Sequence, residues 1–139
     1  MDIKKLVFTE KKVRFKQDET IFEEDAEGNK MYFIESGRVK IVKKVGDGEA
    51  TLVNLDVGAF FGEMSIITGN KRVASAIALT DCKLHIMDKE TFESNLVCDK
   101  AFLWKILETL ASRIEEADRQ LKQNLQRISR LSETFNITG

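Results

Sequence analysis

The sequence predicts a protein of the mostly β plus α class, in which an antiparallel β sandwich or barrel comes first and helices follow. Before residue 88, short runs rich in β-branched and aromatic residues alternate with glycine-containing turns. After residue 88, the apolar residues recur with helical spacing instead. The length of 139 residues corresponds to a single domain with a sizeable core.

Composition and charge argue against several classes of protein. Hydrophobic residues make up 42% of the chain and charged residues 32%, which is typical of a soluble globular protein. The net charge of −1 provides no general attraction to nucleic acid or to an anionic membrane. No apolar run is long enough to span a membrane, and the first 12 residues lack the apolar stretch of a signal peptide. Cys82 and Cys98 match no metal or redox spacing, so we expect reduced thiols and a cytoplasmic location.

Four short runs indicate strands. Residues 31–34 (MYFI) are apolar, and residues 38–42 (RVKIV) alternate polar and apolar side chains as a half-buried strand does. The Ser36-Gly37 pair between them is a turn signal. Residues 73–79 (VASAIAL) and 83–87 (KLHIM) have the same strand-like composition.

A hairpin is predicted within residues 45–50 (VGDGEA). Gly46 and Gly48 can both adopt positive φ on either side of Asp47, which suits a tight turn between antiparallel strands. Residues 51–55 (TLVNL) then return as the partner strand.

Two helices are predicted at the C-terminal end. Asp88 is placed to cap a helix over residues 88–96, and Asp99 is placed to cap the long helical segment that follows. We therefore expect a β-rich part over residues 1–98 and a long C-terminal helix over residues 99–139, within one structural unit.

The long helix carries a heptad stripe with one polar interruption. The apolar positions alternate spacings of four and three: Leu103, Leu107, Leu110, Ile114, Ala117, Leu121, Ile128 and Leu131. Asn124 fills the skipped core position, which specifies register in coiled coils. Arg113 and Asp118 take g and e positions that meet across a parallel pair of helices.

This stripe predicts a parallel homodimer through residues 103–131, but it has an alternative explanation. The same residues can pack on the β-rich part of their own chain. For residues 103–114 both explanations stay open. For residues 114–131 we favour pairing, because a solitary helix of this length leaves its apolar stripe exposed.

The stretch FGEMSIITGNKR (residues 61–72) contains the main candidate binding residues of the chain. Residues 64–68 are too few to separate helix from strand by period, but the glycines on both sides favour a short helix. A helix start offers unpaired N–H groups and the positive end of the helix dipole to an anion. Arg72 can offer a bidentate fork to the same anion, and Glu63 can accept a hydrogen bond from a ligand hydroxyl group.

These residues resemble the phosphate-binding cassette of the cyclic-nucleotide-binding domain family, F-G-E-x-x-x-x-x-G-x-x-R-x-A. The family pattern Y-x-I-x-x-G-x-V-x-V is similar to residues 32–41, and Gly58 matches the glycine that precedes the cassette. Phe92 and residues 110–114 resemble the two helices that follow the β-roll, so that the resemblance covers roughly residues 13–130. The cassette positions that match in register are Phe61, Gly62, Glu63, Gly69, Arg72 and Ala74.

The resemblance implies a β-roll or jelly roll with a short phosphate-binding helix and a long C-terminal dimerisation helix. It implies that Glu63 binds the ribose 2′-hydroxyl group and that Arg72 binds the cyclic phosphate. The implied backbone contacts to the phosphate come from Gly62, Glu63, Met64, Ser65, Val73 and Ala74. Binders of cyclic GMP often have Thr or Ser after the arginine, and Val73 lacks that hydroxyl, which favours cyclic AMP.

The sequence also departs from the family pattern. Glu24 stands where the family usually has a turn glycine, so we expect a reshaped turn. On the long helix, Arg113 matches a basic residue near the base, whereas Ala117 and Asp118 replace the hydroxyl side chains that bond adenine in the catabolite activator. Asp118 can still accept from an exocyclic amine. The chain stops at Gly139 without room for a helix-turn-helix domain, so we expect no direct DNA binding.

These observations favour a cyclic-nucleotide-sensing module, in which the ligand biases the position of the long helix and so the activity of a partner. The alternative is a β-roll that has lost its ligand and serves as a dimerisation module, with Glu63 and Arg72 as a structural ion pair. An enzyme is disfavoured, because His85 is the single histidine and the ligand sets of a metalloenzyme or an iron–sulphur sensor are missing. We expect no metal and no catalytic residues.

Overall fold

The structure is a computed structural model that describes residues 2–135. These residues form two compact units, Asp2–Asn95 and a second unit that begins at Leu96. The predicted ranges 1–98 and 99–139 include residue 1 and residues 136–139, which lie outside the described residues. Within residues 2–135, no helix is long and apolar enough to cross a membrane.

The first unit contains the eight strands, one short helix and most of a second helix, and the second unit consists mainly of one long helix. A short 3-10 helix over Ile3–Lys5 precedes the first strand. In chain order the other elements are β1 (Glu10–Phe15), β2 (Thr20–Phe22), β3 (Lys30–Ser36), β4 (Val39–Val45), β5 (Gly48–Leu55), β6 (Phe60–Phe61), α1 (Glu63–Thr68), β7 (Ser75–Ala78), β8 (Cys82–Asp88), α2 (Lys89–Cys98) and α3 (Lys100–Phe135).

The eight strands form two four-stranded antiparallel sheets, and this architecture confirms the predicted β-roll. One sheet has the order β1-β8-β3-β6 and the other β2-β7-β4-β5. Apolar side chains from both sheets enclose a common core: Tyr32, Ile34, Val39, Phe61, Ala76, Ala78, Cys82, Leu84 and Ile86. Phe15 and Phe22 pack against it as half-buried residues.

Three strands were not predicted, because none of them shows a clear alternation of polar and apolar residues. β1 contains four charged residues in six and lies at the edge of its sheet, where charged side chains are tolerated. β2 and β6 have only three and two residues, which is too short for a period to develop.

The hairpin between β4 and β5 forms where it was predicted, but only one of the two glycines has the expected conformation. Gly46 has φ +59°, at the first position of a two-residue loop, where a type II′ turn requires glycine. Gly48 does not have positive φ and opens β5 opposite Val45. The expectation of positive φ at Gly48 was therefore wrong, because a type II′ turn requires it at one position only.

Both predicted helix caps are present. Asp88 Oδ1 accepts from the backbone N–H of Thr91 at 2.9 Å, three residues into α2. Asp99 Oδ1 accepts from the backbone N–H of Phe102 at 3.0 Å in the same geometry at the start of α3. The two helices therefore begin where the sequence predicted.

The apolar stripe of α3 divides into two parts. In the first turns the buried residues are Phe102 and Ile106, whereas Leu103 and Leu107 are 38% and 49% exposed. The buried face is thus displaced by one residue from the predicted stripe. Further along, the stripe residues Ile114, Leu121, Ile128 and Leu131 are all more than half exposed, as is Leu125 beside them. The apolar stripe beyond residue 114 therefore remains uncovered in a single chain.

Candidate functional site

The predicted short helix forms between two glycines in the left-handed conformation. Gly62 is the N-cap of α1 with φ +84°, and Gly69 closes its C-terminal end with φ +76°. The backbone N–H of Gly69 donates to the carbonyl oxygen of Ser65 at 2.9 Å. Gly62 has no side chain, so α1 begins without a side-chain capping hydrogen bond from its N-cap residue.

Gly62 is required for a second reason, which is the crowding around it. A Cβ atom at this position would lie 3.0 Å from Nη1 of Arg72 and 3.1 Å from the carbonyl oxygen of Lys30. Both its φ angle and the available space therefore demand glycine at the start of α1.

The strands β3 and β6 hold the cassette against the core. Tyr32 pairs with Phe61 in the sheet, and their rings stack with centroids 5.3 Å apart. Because Phe61 directly precedes Gly62, this stacked pair determines where α1 starts. The same pairing brings the carbonyl of Lys30, at the beginning of β3, close to the cassette.

The side chain of Arg72 is 4% exposed, and main-chain carbonyl groups from two other segments hold its guanidinium. Nη1 donates to the carbonyl oxygen of Gly62 at 2.7 Å, and Nη2 donates to that of Lys30 at 2.6 Å. Cζ lies 4.0 Å from the ring centroid of Phe22, which is cation–π geometry. The guanidinium is therefore ordered beside the start of α1 by the protein itself.

The third guanidinium nitrogen of Arg72 is buried without an acceptor. Among the described residues, Nε finds no hydrogen-bond partner. Burial lowers the pKa of Arg72 from its ordinary value, whereas the charges of Tyr32 and Glu63 act in the opposite direction. An unpaired charged donor in a buried position is costly, and an anionic ligand can remove that cost.

The other predicted cassette residues are divided between buried and exposed positions. Glu63, Ser65 and Ala74 are 2%, 5% and 4% exposed. The side chains of Met64 and Val73 are about half exposed, at 48% and 50%. The burial of the Glu63 carboxylate next to a cationic group suits a specific polar contact better than a solvated surface role.

In the turn that contains Glu24, the left-handed residue is Asp25, with φ +69°. The reshaping of this turn relative to the family stays a prediction. The carboxylate of Glu24 accepts a hydrogen bond from the backbone N–H of Lys44 at 2.9 Å. The backbone N–H of Glu24 donates to Ser75 Oγ at 2.8 Å. The hydrogen bond from Lys44 is the main reason that the pKa of Glu24 is lowered. A glutamate at this position thus joins the turn to β4 and β7.

Arg113 and Asp118, the candidates for contacts to the base, lie on α3 in the second unit. Arg113 is half-buried, and Asp118 is exposed. Their proposed role in contacting the base stays a prediction.

The sequence did not indicate that Phe22, Gly28 and Lys30 surround Arg72. A Cβ atom on Gly28 would lie 2.2 Å from Nε of Arg72, which shows how closely the guanidinium covers this glycine. Phe22 lies on β2, which has no period to reveal it, and Lys30 contributes through its carbonyl rather than its side chain.

Comparison with known proteins finds relatives for most of this chain. Residues 12–96 match the family model described as the cyclic nucleotide-binding domain. The CRP-like cAMP-activated global transcriptional regulator of Mycobacterium tuberculosis is 30% identical over 110 residues, which are 78% of this chain and 49% of that protein. The chain thus spans about half the length of the curated relatives it matches first.

Solved structures show the same similarity. The catabolite activator protein of Thermus thermophilus has a TM-score of 0.74 and 30% identity, over 81% of this chain and 53% of that one. The EAL enzyme Bd1971 in its cAMP-bound form has a TM-score of 0.62 and 30% identity, over 88% of this chain and 33% of that one. Its cGMP-bound form has a TM-score of 0.61 and 29% identity, over 91% and 34% of the two chains.

Proposed function

The chain belongs to the cyclic nucleotide-binding domain family as a regulatory domain, and from this premise we propose that it binds cyclic AMP at the cassette of residues 61–74. The observation that carries the proposal is the guanidinium of Arg72. It is buried, ordered by two carbonyl oxygens and left with an unpaired Nε beside the start of α1.

In this proposal the cyclic phosphate is bound by Arg72 and by backbone N–H groups of the first turn of α1. A cyclic phosphodiester carries one negative charge and presents two exocyclic oxygens. Arg72 keeps N–H groups for one of them after donating to Gly62 and Lys30. The N–H groups of Gly62, Glu63, Met64 and Ser65, together with those of Val73 and Ala74, are our candidates for the remaining contacts.

Glu63 is proposed to bind the ribose. Its carboxylate is buried, and a buried carboxylate accepts hydrogen bonds well from hydroxyl groups that are also removed from water. The ribose 2′-hydroxyl group of a cyclic nucleotide is such a donor. The charges of Glu63 and Arg72 offset each other, so that this pair adds no net charge before the ligand binds.

We propose a preference for cyclic AMP over cyclic GMP because the residue after the arginine is Val73. Its side chain is exposed and has no hydrogen-bonding group that can read a guanine. Arg113 and Asp118 on α3 are our candidates for contacts to the base. One relative has been solved with cAMP and with cGMP, so both nucleotides belong in the test.

We also propose that α3 forms a parallel homodimer through residues 103–131 and that ligand binding biases this helix. The support is the uncovered apolar stripe beyond residue 114, with Asn124 at one seam position. A change in α3 would pass the binding event to a partner protein.

A cytoplasmic location is proposed from the cysteines. Cys82 is buried and Cys98 is exposed, and both are free thiols. Burial raises the pKa of the Cys82 thiol, which keeps it protonated and unreactive. A protein with an exposed free thiol is suited to a reducing compartment.

Thermal unfolding in the presence of nucleotides tests the proposed function. Saturating cyclic AMP is expected to stabilise the protein, because a ligand that binds only the folded state adds about 2.7 kcal/mol at one hundred times its Kd. Cyclic GMP is expected to give a smaller shift at the same concentration.

Two further ligands serve as controls for this measurement. Cyclic 2′-deoxy-AMP keeps the phosphate and the base but lacks the hydroxyl group assigned to Glu63, so we expect a reduced shift. Adenosine lacks the phosphate and should give none. The absence of any shift with cyclic AMP, cyclic GMP or a cyclic dinucleotide would refute the sensor and favour the ligand-free dimerisation module.

A further inference from the structure

The guanidinium of Arg72 packs closely against an aromatic ring and a glycine, which together we call the slot. Its Cζ is 4.0 Å from the ring centroid of Phe22. A Cβ atom added to Gly28 would lie 2.2 Å from Nε and 2.4 Å from Cζ. Real atoms do not approach so closely, so any side chain at residue 28 would displace the guanidinium from this position.

The slot fixes a guanidinium whose hydrogen-bonding capacity is only partly used. Nη1 and Nη2 each carry two hydrogens, and each nitrogen donates to one carbonyl, those of Gly62 and Lys30. Nε–H has no partner among the described residues. The two hydrogen bonds to carbonyl oxygens therefore hold the guanidinium in place, and its remaining N–H groups can donate to an incoming oxyanion.

The loop that carries Gly28 is itself tied to Arg72. The backbone N–H of Arg72 donates to the carbonyl of Ala26 at 2.9 Å, and the N–H of Asp25 donates to the carbonyl of Arg72 at 2.8 Å. Together with the bond to Lys30, these contacts attach both ends of the segment 25–30 to one residue. The loop cannot easily move away from the arginine, so an added methyl group at residue 28 must move the side chain instead.

We propose that Phe22 and Gly28 are positioning residues that hold Arg72 in the orientation required by the cyclic phosphate. Neither residue belongs to the cassette, and neither is assigned to touch the ligand. A long arginine side chain loses conformational freedom when it binds, and the slot removes much of that freedom during folding. This inference rests on the proposed function, because it concerns how the same site reaches its affinity.

The substitution Gly28→Ala tests the positioning role. Gly28 does not have positive φ, so its backbone accepts alanine, and the atoms it meets are the flexible end of Arg72. We expect cyclic AMP affinity to fall by about tenfold or more, with a loss of unfolding free energy no larger than that of Arg72→Ala, because the displaced guanidinium gives up its bonds to Gly62 and Lys30. The control is Gly48→Ala, a glycine without positive φ whose Cβ would make only an ordinary van der Waals contact with the carbonyl oxygen of Val45 at 4.0 Å.

A second pair of variants tests the positioning role of the Phe22 ring. Phe22→Leu removes the ring face but keeps an apolar side chain, and we expect about a fivefold to tenfold loss of affinity. Phe15→Leu is the matched control, because Phe15 packs as a half-buried residue on the same core. If Phe22 served only the core, the two variants would lose stability and affinity alike.

The NMR chemical shift of the Arg72 Nε–H proton can be measured without a ligand. In the wild type the ring of Phe22 is expected to shift this resonance upfield, and both Gly28→Ala and Phe22→Leu should abolish that shift. Gly48→Ala and Phe15→Leu should leave it unchanged.

The two measurements distinguish the failure of this inference from the failure of the proposed function. If the wild type binds cyclic AMP and Gly28→Ala and Phe22→Leu bind it within about twofold of their controls, the positioning role is refuted. If no cyclic nucleotide binds the wild type, the proposed function fails. The resonance then still decides whether the slot exists, and an unchanged resonance in both variants refutes it.

Discussion

Replacing Arg72 with alanine is expected to weaken cyclic AMP binding by about two to three orders of magnitude. Each hydrogen bond between charged groups contributes about 1.5–3 kcal/mol, and the proposed phosphate contact contains two of them in a fork. The loss should appear in a calorimetric titration as a larger Kd with the stoichiometry retained at high ligand concentration.

The same substitution should also lower the free energy of unfolding, because it removes the donors to the carbonyl groups of Gly62 and Lys30. We expect a loss of about 2 kcal/mol, reduced where water replaces the donors. The effect on folding must therefore be measured by denaturation beside the effect on binding.

Two controls accompany Arg72→Ala. Lys71→Ala removes the same charge from the neighbouring residue, which is exposed, and should leave the affinity unchanged. Arg72→Lys keeps the charge but loses the planar fork, so we expect an intermediate affinity. A folded Arg72→Ala variant with wild-type affinity would show that the phosphate is bound elsewhere.

Substituting Leu121 with glutamate is expected to convert the proposed dimer into a monomer. Leu121 is 56% exposed in the single chain, and the heptad places it in the middle of the paired seam. Pairing would bring two carboxylates, one from each copy, into an apolar contact without cationic partners. The cost of burying these charges should weaken association on the order of a thousandfold.

Sedimentation equilibrium measures this change directly. Gln126→Glu adds the same charge on the outer face of the same helix and should remain a dimer. Truncation after Leu110 removes most of the seam and should also give a monomer. A Leu121→Glu variant that keeps the dimer mass would refute pairing through this stripe, as would a wild type that sediments as a monomer.

Local patterns were sufficient for the parts of the fold that depend on near neighbours. The caps at Asp88 and Asp99 act over three residues, and the hairpin at Gly46 acts over two, so their signals are contained in short stretches of sequence. The short helix of the cassette was also predicted correctly, because its two glycines mark both ends. Gly48 was assigned the wrong conformation, because the turn type decides which of two glycines is left-handed.

Contacts between distant segments could not be predicted in the same way. The guanidinium of Arg72 binds carbonyls of Gly62 and Lys30, which are 10 and 42 residues away. The second contact exists only because β3 pairs with β6 and so brings the start of β3 to the cassette. Backbone carbonyls have no side-chain identity, so no residue type in the sequence could indicate them.

The same limit applies to the buried face of α3. The heptad spacing predicted a stripe through Leu103 and Leu107, but the buried residues are Phe102 and Ile106. Apolar residues at 102, 103, 106 and 107 allow two neighbouring stripes, and the spacing alone does not choose between them.

The central claim is that a cyclic nucleotide binds with its phosphate between Arg72 and the start of α1. An amide and Nε–H chemical-shift titration of the wild type with cyclic AMP tests this claim most directly. The largest shifts are predicted at the backbone N–H groups of Gly62, Glu63, Met64 and Ser65 and at Nε–H of Arg72, all saturating with one Kd. Saturable binding that leaves these resonances in place, or no binding of cyclic AMP or cyclic GMP at all, would contradict it.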